Sequence, residues 1–344
     1  MKYYVGLDVA LRSVALCVID GDGQIVLERM LACDVSVISE CLDAFCNPIE
    51  RIGFEAGTMS QTLYHGLTAA GFEVVCMEAR HVSAALSAMR NKTDKNDARG
   101  IAQVVRSGWY RSVHMKSLES HQIRTLLTSR KAVLRRCIDL ENEIRGLLKV
   151  FGIRLPTSIA HHRFAETVRP MIEADEALAF ALLPMVEAQQ VLDANFKILD
   201  KRVKLISSRD PICSLLMTAP GVGAVTALHF KAAIDDPARF TSSRIVGAHF
   251  GLTPRRFQSG ETDNQGRISR AGDADVRSAL YSAANSLLTR TRTMSPLKSW
   301  GLRLVKTKGR RRATVAVARK LAVILHRMWS DGTEFQWNDQ EVNA

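Results

Sequence analysis

Cysteine is scarce in this sequence and never paired. The seven cysteines, at 17, 33, 41, 46, 76, 137 and 213, are odd in number and form no Cys-x-x-Cys. That pattern excludes a zinc ribbon and a disulfide framework and fits reduced, buried thiols of a cytosolic protein. Long apolar runs are also missing: none approaches the ~20 residues of a membrane span. The opening Met1-Lys-Tyr-Tyr-Val-Gly-Leu-Asp8 goes straight into a strand pattern, so no signal peptide is expected. Acidic residues are too few to balance the basic ones. Lys and Arg number 47 against 35 Asp and Glu, a net charge of +12, which favours a polyanionic partner. The deficit is local. Residues 1–112 hold 11 basic and 13 acidic side chains, whereas residues 251–344 hold 17 and 8.

The chain has 344 residues, of which 47% are hydrophobic and 24% charged, so it is globular and long enough for two or three domains. Residues 3–9, 14–19 and 24–31 read as strands, with Asp20-Gly-Asp-Gly23 as a hairpin turn. Three strands in a meander, with an acid near the end of the first, suit a ribonuclease-H-like sheet and equally an actin-like kinase. Helix and strand then alternate (35–45, 49–57, 60–70, 72–77, 81–89), which argues for an α/β layer with parallel strands. From about Lys116 to Val150 apolar residues recur at helical spacing, as in a coiled coil or helical arm. Residues 164–206 are again helical, with Pro170 and Pro184 as expected interruptions. The expected organisation is an α/β domain at 1–112, a helical coiled-coil arm at 113–207, a mainly helical domain at 208–330, and a frayed, polar tail at 331–344.

Four acids stand out in the front part. Lys92-Thr-Asp-Lys-Asn-Asp-Ala-Arg99 opens a helix and puts Asp94 and Asp97 on one face. Like charges that close repel, and a hard divalent ion such as Mg²⁺ would offset the repulsion. The bland reading is that Asp94 caps the helix and Asp97 suits its dipole. Asp8 stands in an apolar strand and Glu55 ends a later one, between Phe54 and Ala56-Gly57. A carboxylate among apolar residues is costly unless it is paired or ligating. Together the four suffice for two ions in a phosphoryl-transfer site.

The rear is basic and glycine-punctuated. Pro220-Gly-Val-Gly223, between two apolar helices, reads as a helix–hairpin–helix whose Gly221 and Gly223 expose N–H groups to a nucleic-acid phosphate. A tight turn without a ligand fits equally well. After a helix at 243–250, Pro254-Arg-Arg-Phe-Gln-Ser-Gly260 reads as a basic loop in which Arg255 and Arg256 hold a phosphate near the hydroxyl of Ser259. Gly266-Arg-Ile-Ser-Arg-Ala-Gly272 repeats that style, so Ser269 is a rival, and Arg267 and Arg270 join the basic surface. Lys306, Lys308, Arg310, Arg311 and Arg312 open a last basic helix, continued by Arg319, Lys320, His326 and Arg327, which suits contact with a phosphate backbone.

The order Gly6-Leu-Asp8, Phe54-Glu55-Ala-Gly57 and Lys92-Thr-Asp94-Lys-Asn-Asp97 resembles the RuvC-like domain of DEDD-type insertion-sequence transposases. Ala219-Pro-Gly-Val-Gly223, Asp236-Pro-Ala-Arg-Phe240, Gly251-Leu-Thr-Pro-Arg255, Gln258-Ser259-Gly260 and Arg267-Ile-Ser-Arg-Ala-Gly-Asp273 resemble the family's second domain. The resemblance implies a DNA recombinase that excises and inserts its element. Asp8, Glu55, Asp94 and Asp97 would bind Mg²⁺ (or Mn²⁺), and Ser259 would be a nucleophile forming a covalent phosphoserine. It further implies element-end and target DNA and a noncoding bridge RNA as partners, dimers or tetramers, and a cytoplasmic, nucleoid-associated location in a bacterium without membrane contact. One departure is Glu261-Thr-Asp-Asn264, where relatives are often glycine-rich or basic. The rival readings are a junction-resolving nuclease that uses water, an actin-like kinase, and a nucleic-acid-binding protein without chemistry. The kinase lacks a second acid-containing phosphate loop, and pure binding leaves the four acids without a role.

Overall fold

Asp20 sets the first hairpin: its carboxylate accepts from the N–H groups of Asp22 and Gln24 at 3.0 and 2.9 Å, closing the turn at Gly23. A computed structural model describes residues 2–87, 93–259 and 262–337, with backbone alone at 257–259, 262, 263 and 265. Lys92, Gly260, Glu261 and the end of the expected tail lie outside the described residues. The chain forms two compact units, Met1–Lys116 and Ser117–Ala344.

In the first unit, β1 (Tyr3–Val9), β2 (Ser13–Ile19) and β3 (Ile25–Ala32) form the expected antiparallel meander. After α1 (Val35–Asp43), β4 (Ile49–Glu55) pairs parallel with β1. After α2 (Ser60–Ala69), β5 (Val74–Met77) pairs parallel with β4. The order β3-β2-β1-β4-β5 is consistent with a ribonuclease-H-like sheet. Alternation along the strands divides two cores. Val5, Leu7, Val14, Leu16, Ile52 and Phe54 meet Ile38 and Leu42 of α1 and Leu63 and Leu67 of α2. The other face is covered by α3 (Ala79–Leu86) and α4 (Asp94–Ser107).

In the second unit, α5 (Leu118–Val150), α6 (His161–Ile172) and α7 (Glu176–Arg209) form the arm. Its partners run in opposite order: Arg130 pairs with Asp200, Cys137 lies by Gln189, and Leu148 clusters with Leu182. So α5 and α7 form an antiparallel hairpin, with α6 packed at its far end. Pro170 and Pro184 do not interrupt as expected but lie inside α6 and α7; the break comes where Asp175 caps α7 through the Leu178 N–H. Among the described residues α7 alone is long and apolar enough to cross a membrane, with a mean hydropathy of 1.2, although no uninterrupted apolar run marks it in the sequence. It also carries Asp193 and Asp200, paired with Lys197 and Arg130.

The remaining elements are α8 (Pro211–Met217), α9 (Ala224–Ile234), α10 (Val246–His249), β6 (Pro254–Ser259), β7 (Thr262–Ile268), α11 (Ala274–Thr289), α12 (Pro296–Lys308) and α13 (Arg310–Asp331). Leu216, Leu228, Phe230, Leu280, Val317 and Leu321 centre their core. Of the expected basic loop at 254–260, residues 254–259 are instead the first strand of the β6–β7 hairpin. The expected single basic helix is two, divided at Gly309. The tail does not fray at once: Phe335 returns to the core, its N–H donating to Thr218 Oγ1 at 3.0 Å. Burial of that ring outweighs the polar composition around it.

Candidate active site and nucleic-acid interface

Register decides where the acids stand. Leu7 of β1 pairs with Phe54 of β4 in a parallel ladder, so Asp8 and Glu55 follow side by side at the strands' C-terminal ends. Both share a face with the glycine two residues before them. That face meets α4. A Cβ on Gly6 would lie 2.3 Å from both the Ala98 carbonyl oxygen and the Ala102 nitrogen, and one on Gly53 would lie 2.2 Å from Val105. Gly6 thus permits the helix to sit directly on the sheet.

The direction of α4 follows from its far end. Gln103 and Arg106 donate to the carbonyls of Gly23 and Gly21, at 2.8 and 3.0 Å, in the turn beside the start of β1. The helix therefore runs against β1, and its first turn, with Asp94 and Asp97, stands at the end that carries Asp8 and Glu55. Asp94 shares its stripe with Ala98 and Ala102, which cluster with Ala15, Cys17 and Ile19. Asp97 shares its stripe with Ile101 and Val105, which cluster with Met77 and Val82. The four acids thus gather at one end of one layer. Asp8 and Asp97 are half-buried; Glu55 and Asp94 are exposed. The expected burial cost at Glu55 is therefore absent, because the strand ends there.

Capping does not explain Asp94. Thr93 is the N-cap, its hydroxyl accepting from the Asn96 N–H at 3.2 Å. Arg99 does not serve the acids either. It forms a two-pronged pair with Glu28 at 2.6 and 2.9 Å, and this holds Glu28 below the usual carboxylate range. The four carboxylates are hard oxygen donors at an open strand end, a set that suits Mg²⁺ or Mn²⁺. They are spread out: among the described residues, the trio of potential ligand atoms within 4.8 Å of one another is Cys137, Glu141 and His161, in the other unit.

Close packing at Gly6 has a measurable consequence. Gly6→Ala is expected to lower the stability of the first unit by about 1–3 kcal/mol, as overpacking does. Gly146→Ala, inside α5 with nothing within 4 Å of the new methyl, is expected to raise stability by about 0.5–1 kcal/mol. Thermal unfolding of the two variants checks the contrast; a neutral Gly6→Ala would show that α4 does not bear on β1.

The second unit holds a basic groove of about 2140 Å³. Four of the expected nucleic-acid residues line it: Arg267, Arg270, Arg311 and Arg312. Arg319, Lys320 and Arg327, noted in sequence only as continuing the basic helix, line it too. So do Arg244 and Trp300, which nothing in the sequence singled out. The Lys320 ammonium sits 5.0 Å from the Trp300 ring centre, and burial pulls its pKa below the ordinary lysine value. Trp300 lies on α12 and Lys320 on α13, twenty positions apart, so spacing carries no signal of the pair.

Other expected contacts lie elsewhere. Arg255, Arg256, Lys306, Lys308 and Arg310 do not line the groove; Arg255 donates to the Ser269 carbonyl at 3.3 Å and Arg310 to Asn285 at 3.2 Å. His326 is buried, bonded to Ser243 and to the Pro237 carbonyl at 2.9 and 3.1 Å, and burial lowers its pKa: it holds the core and does not meet phosphate. Gly221 has a φ of +84°, and a Cβ there would lie 2.3 Å from the Ala283 carbonyl oxygen, so glycine alone fits this turn against α11. Gly223 remains exposed at the start of α9.

Ser259 ends β6, its backbone paired with Thr262 across the hairpin; its side chain lies outside what is described. The rival Ser269 is engaged locally. Its N–H donates to the Thr253 carbonyl at 2.8 Å, and its hydroxyl accepts from the Ala271 N–H at 3.4 Å.

Comparison with known proteins bears on both units. A family model described as transposase, of the DEDD type, matches residues 5–153, and one described as transposase IS116/IS110/IS902 family matches residues 213–298. The transposase for insertion sequence element IS1111A of Coxiella burnetii is 30% identical over 332 residues, 93% of this chain and 88% of that one. A probable family 20 transposase of Pseudomonas aeruginosa is 27% identical over 253 residues, 71% of this chain and 73% of that one. A pilin gene-inverting protein of Moraxella bovis is 40% identical over 72 residues, 21% of this chain and 22% of that one.

Proposed function

Because the chain belongs to the IS116/IS110/IS902 family of DEDD-type insertion-sequence transposases, enzymes that cut and rejoin DNA, we propose that it moves its element with Asp8, Glu55, Asp94 and Asp97 as metal ligands and Ser259 as nucleophile. The observation that carries the metal reading is the parallel register of β1 and β4, with the start of α4 at the same end. A divalent ion bound by these carboxylates would act as a Lewis acid on the scissile phosphate.

In the cut, the serine oxygen attacks phosphorus and the bond to the leaving strand's oxygen breaks. The serine proton is lost, a proton reaches the leaving oxygen, and a phosphoserine ester joins protein to DNA. Attack by a strand hydroxyl on that ester reverses these steps and restores the serine. Arg267, Arg270, Arg311 and Arg312 hold the phosphate backbone in the groove.

A noncoding guide RNA that chooses donor and target DNA is part of this reading, as the resemblance of the motifs implies. So is assembly of two or four copies. Phe180, Val191 and Ile198 of α7 are 87%, 60% and 65% exposed and recur at intervals of 11 and 7 residues, one helix face. The protein would act in the bacterial cytoplasm, at the nucleoid.

The test is cleavage of labelled DNA that carries an element end, with the candidate guide RNA and Mg²⁺. Metal-dependent cleavage and rejoining are expected; binding without cleavage under any divalent ion would overturn the reading. In the same preparation, Arg311→Ala with Arg312→Ala is expected to weaken binding alike for unrelated sequences. The slope of log affinity against log salt should fall by about 0.9 for each phosphate that the variant no longer neutralises. An unchanged slope would remove these arginines from the interface.

A further inference from the structure

We propose that the arm carries a second, softer metal site, made by Cys137, Glu141 and His161, which takes a zinc-like divalent ion. Their potential ligand atoms all lie within 4.8 Å of one another. Cys137 and Glu141 stand four residues apart on α5 and so share a face. His161 opens α6, twenty residues further along the chain. The Cys137 sulfur is 3.5 Å from Glu141 Oε1, and His161 Nδ1 is 2.8 and 2.9 Å from the two carboxylate oxygens.

Tetrahedral zinc with bonds of about 2.0–2.3 Å needs donors roughly 3.3–3.8 Å apart. The sulfur–oxygen distance already meets that, and the imidazole need retreat by less than about 1 Å. Cys137 and Glu141 are 1% and 6% exposed. The His161 side chain is 37% exposed, which leaves a path for the ion and a fourth position for water.

A supporting shell is in place. Gln189 of α7 donates to Glu141 Oε1 at 2.8 Å and to the His161 carbonyl at 2.9 Å, orienting the carboxylate and fixing the start of α6. Binding the ion would release the Cys137 thiol proton, so affinity falls as pH is lowered. Thiolate and imidazole select zinc over magnesium, which separates this site chemically from the all-carboxylate set of the first unit. The ion would clip α6 to α5 across the connection between them, beside the core of Ile144, Leu148, Phe164 and Val168. Without metal the same atoms form a hydrogen-bonded polar cluster, and the experiment must tell the two apart.

The full-length protein, stripped with a chelator, is titrated with Co²⁺ as a spectroscopic stand-in for zinc. One equivalent is expected to give a sulfur-to-cobalt charge-transfer band. Cys137→Ser should abolish it and His161→Ala should weaken Co²⁺ binding at least tenfold. Cys213→Ser, a buried thiol of the same unit, and Asp97→Asn should leave the band intact. Zinc should raise the thermal midpoint of the wild type and not of Cys137→Ser. No band in the wild type, or a band that survives Cys137→Ser, overturns the proposal. Should the variants fail to fold, X-ray absorption of the zinc-loaded wild type decides directly: a sulfur neighbour supports the site, and a shell of nitrogen and oxygen alone rejects it.

Discussion

Asp8→Asn and Asp97→Asn are each expected to lose strand cleavage by more than about 100-fold while binding DNA within about twofold of wild type. Asparagine keeps the shape of aspartate and removes its charge, so packing against α4 and the sheet is preserved. Loss of an outer partner of a metal ligand alone costs about 10–100-fold, and loss of a ligand should cost at least that. Thr93→Ala separates the site from the helix that carries it. Removing the cap that accepts from Asn96 should cost about 1 kcal/mol of stability and leave cleavage largely intact. Gel-based cleavage and equilibrium binding on the same preparations check both results. If binding fell as far as cleavage in the aspartate variants, the acids would be supports of the fold and not metal ligands.

Ser259→Ala is expected to abolish the protein–DNA adduct that survives denaturation, whereas Ser269→Ala should form it as the wild type does. The contrast rests on geometry. Ser269 donates its N–H to the Thr253 carbonyl, and its hydroxyl accepts from the Ala271 N–H in the turn that follows β7. Ser259 ends β6, the first strand of a two-stranded hairpin, four residues beyond Arg255. Labelled element-end DNA, Mg²⁺ and the guide RNA, followed by denaturing electrophoresis, give the readout. Cleavage without an adduct in the wild type would favour a nuclease that uses water, with Ser259 a DNA-contacting residue. An adduct lost only in Ser269→Ala would exchange the two serines.

Where residues interact with near neighbours along the chain, the sequence is a good guide. Apolar runs bounded by turn residues mark β1 to β4, Asp20-Gly-Asp-Gly23 marks the hairpin, and helical spacing of apolar residues marks α5. It misleads where distant contacts overrule local preference. Pro170 and Pro184 looked like helix ends, yet tertiary packing keeps both inside helices. Pro254 and the arginines after it looked like a loop, yet pairing with β7 makes residues 254–259 a strand.

By itself the sequence determined the alternating layer of the first unit, the four acids, the basic rear and, through its motifs, the family. Each of these is written in residue type and short spacing. Only the tertiary structure decided that Asp8 and Glu55 are neighbours, because register between β1 and β4 is set by packing across more than forty residues of chain. It also decided that α4 runs against β1, that Lys320 meets Trp300, and that Cys137, Glu141 and His161 converge. Such pairs share no period or spacing, since they are joined by the burial of apolar surface between elements, which has no direction along the chain.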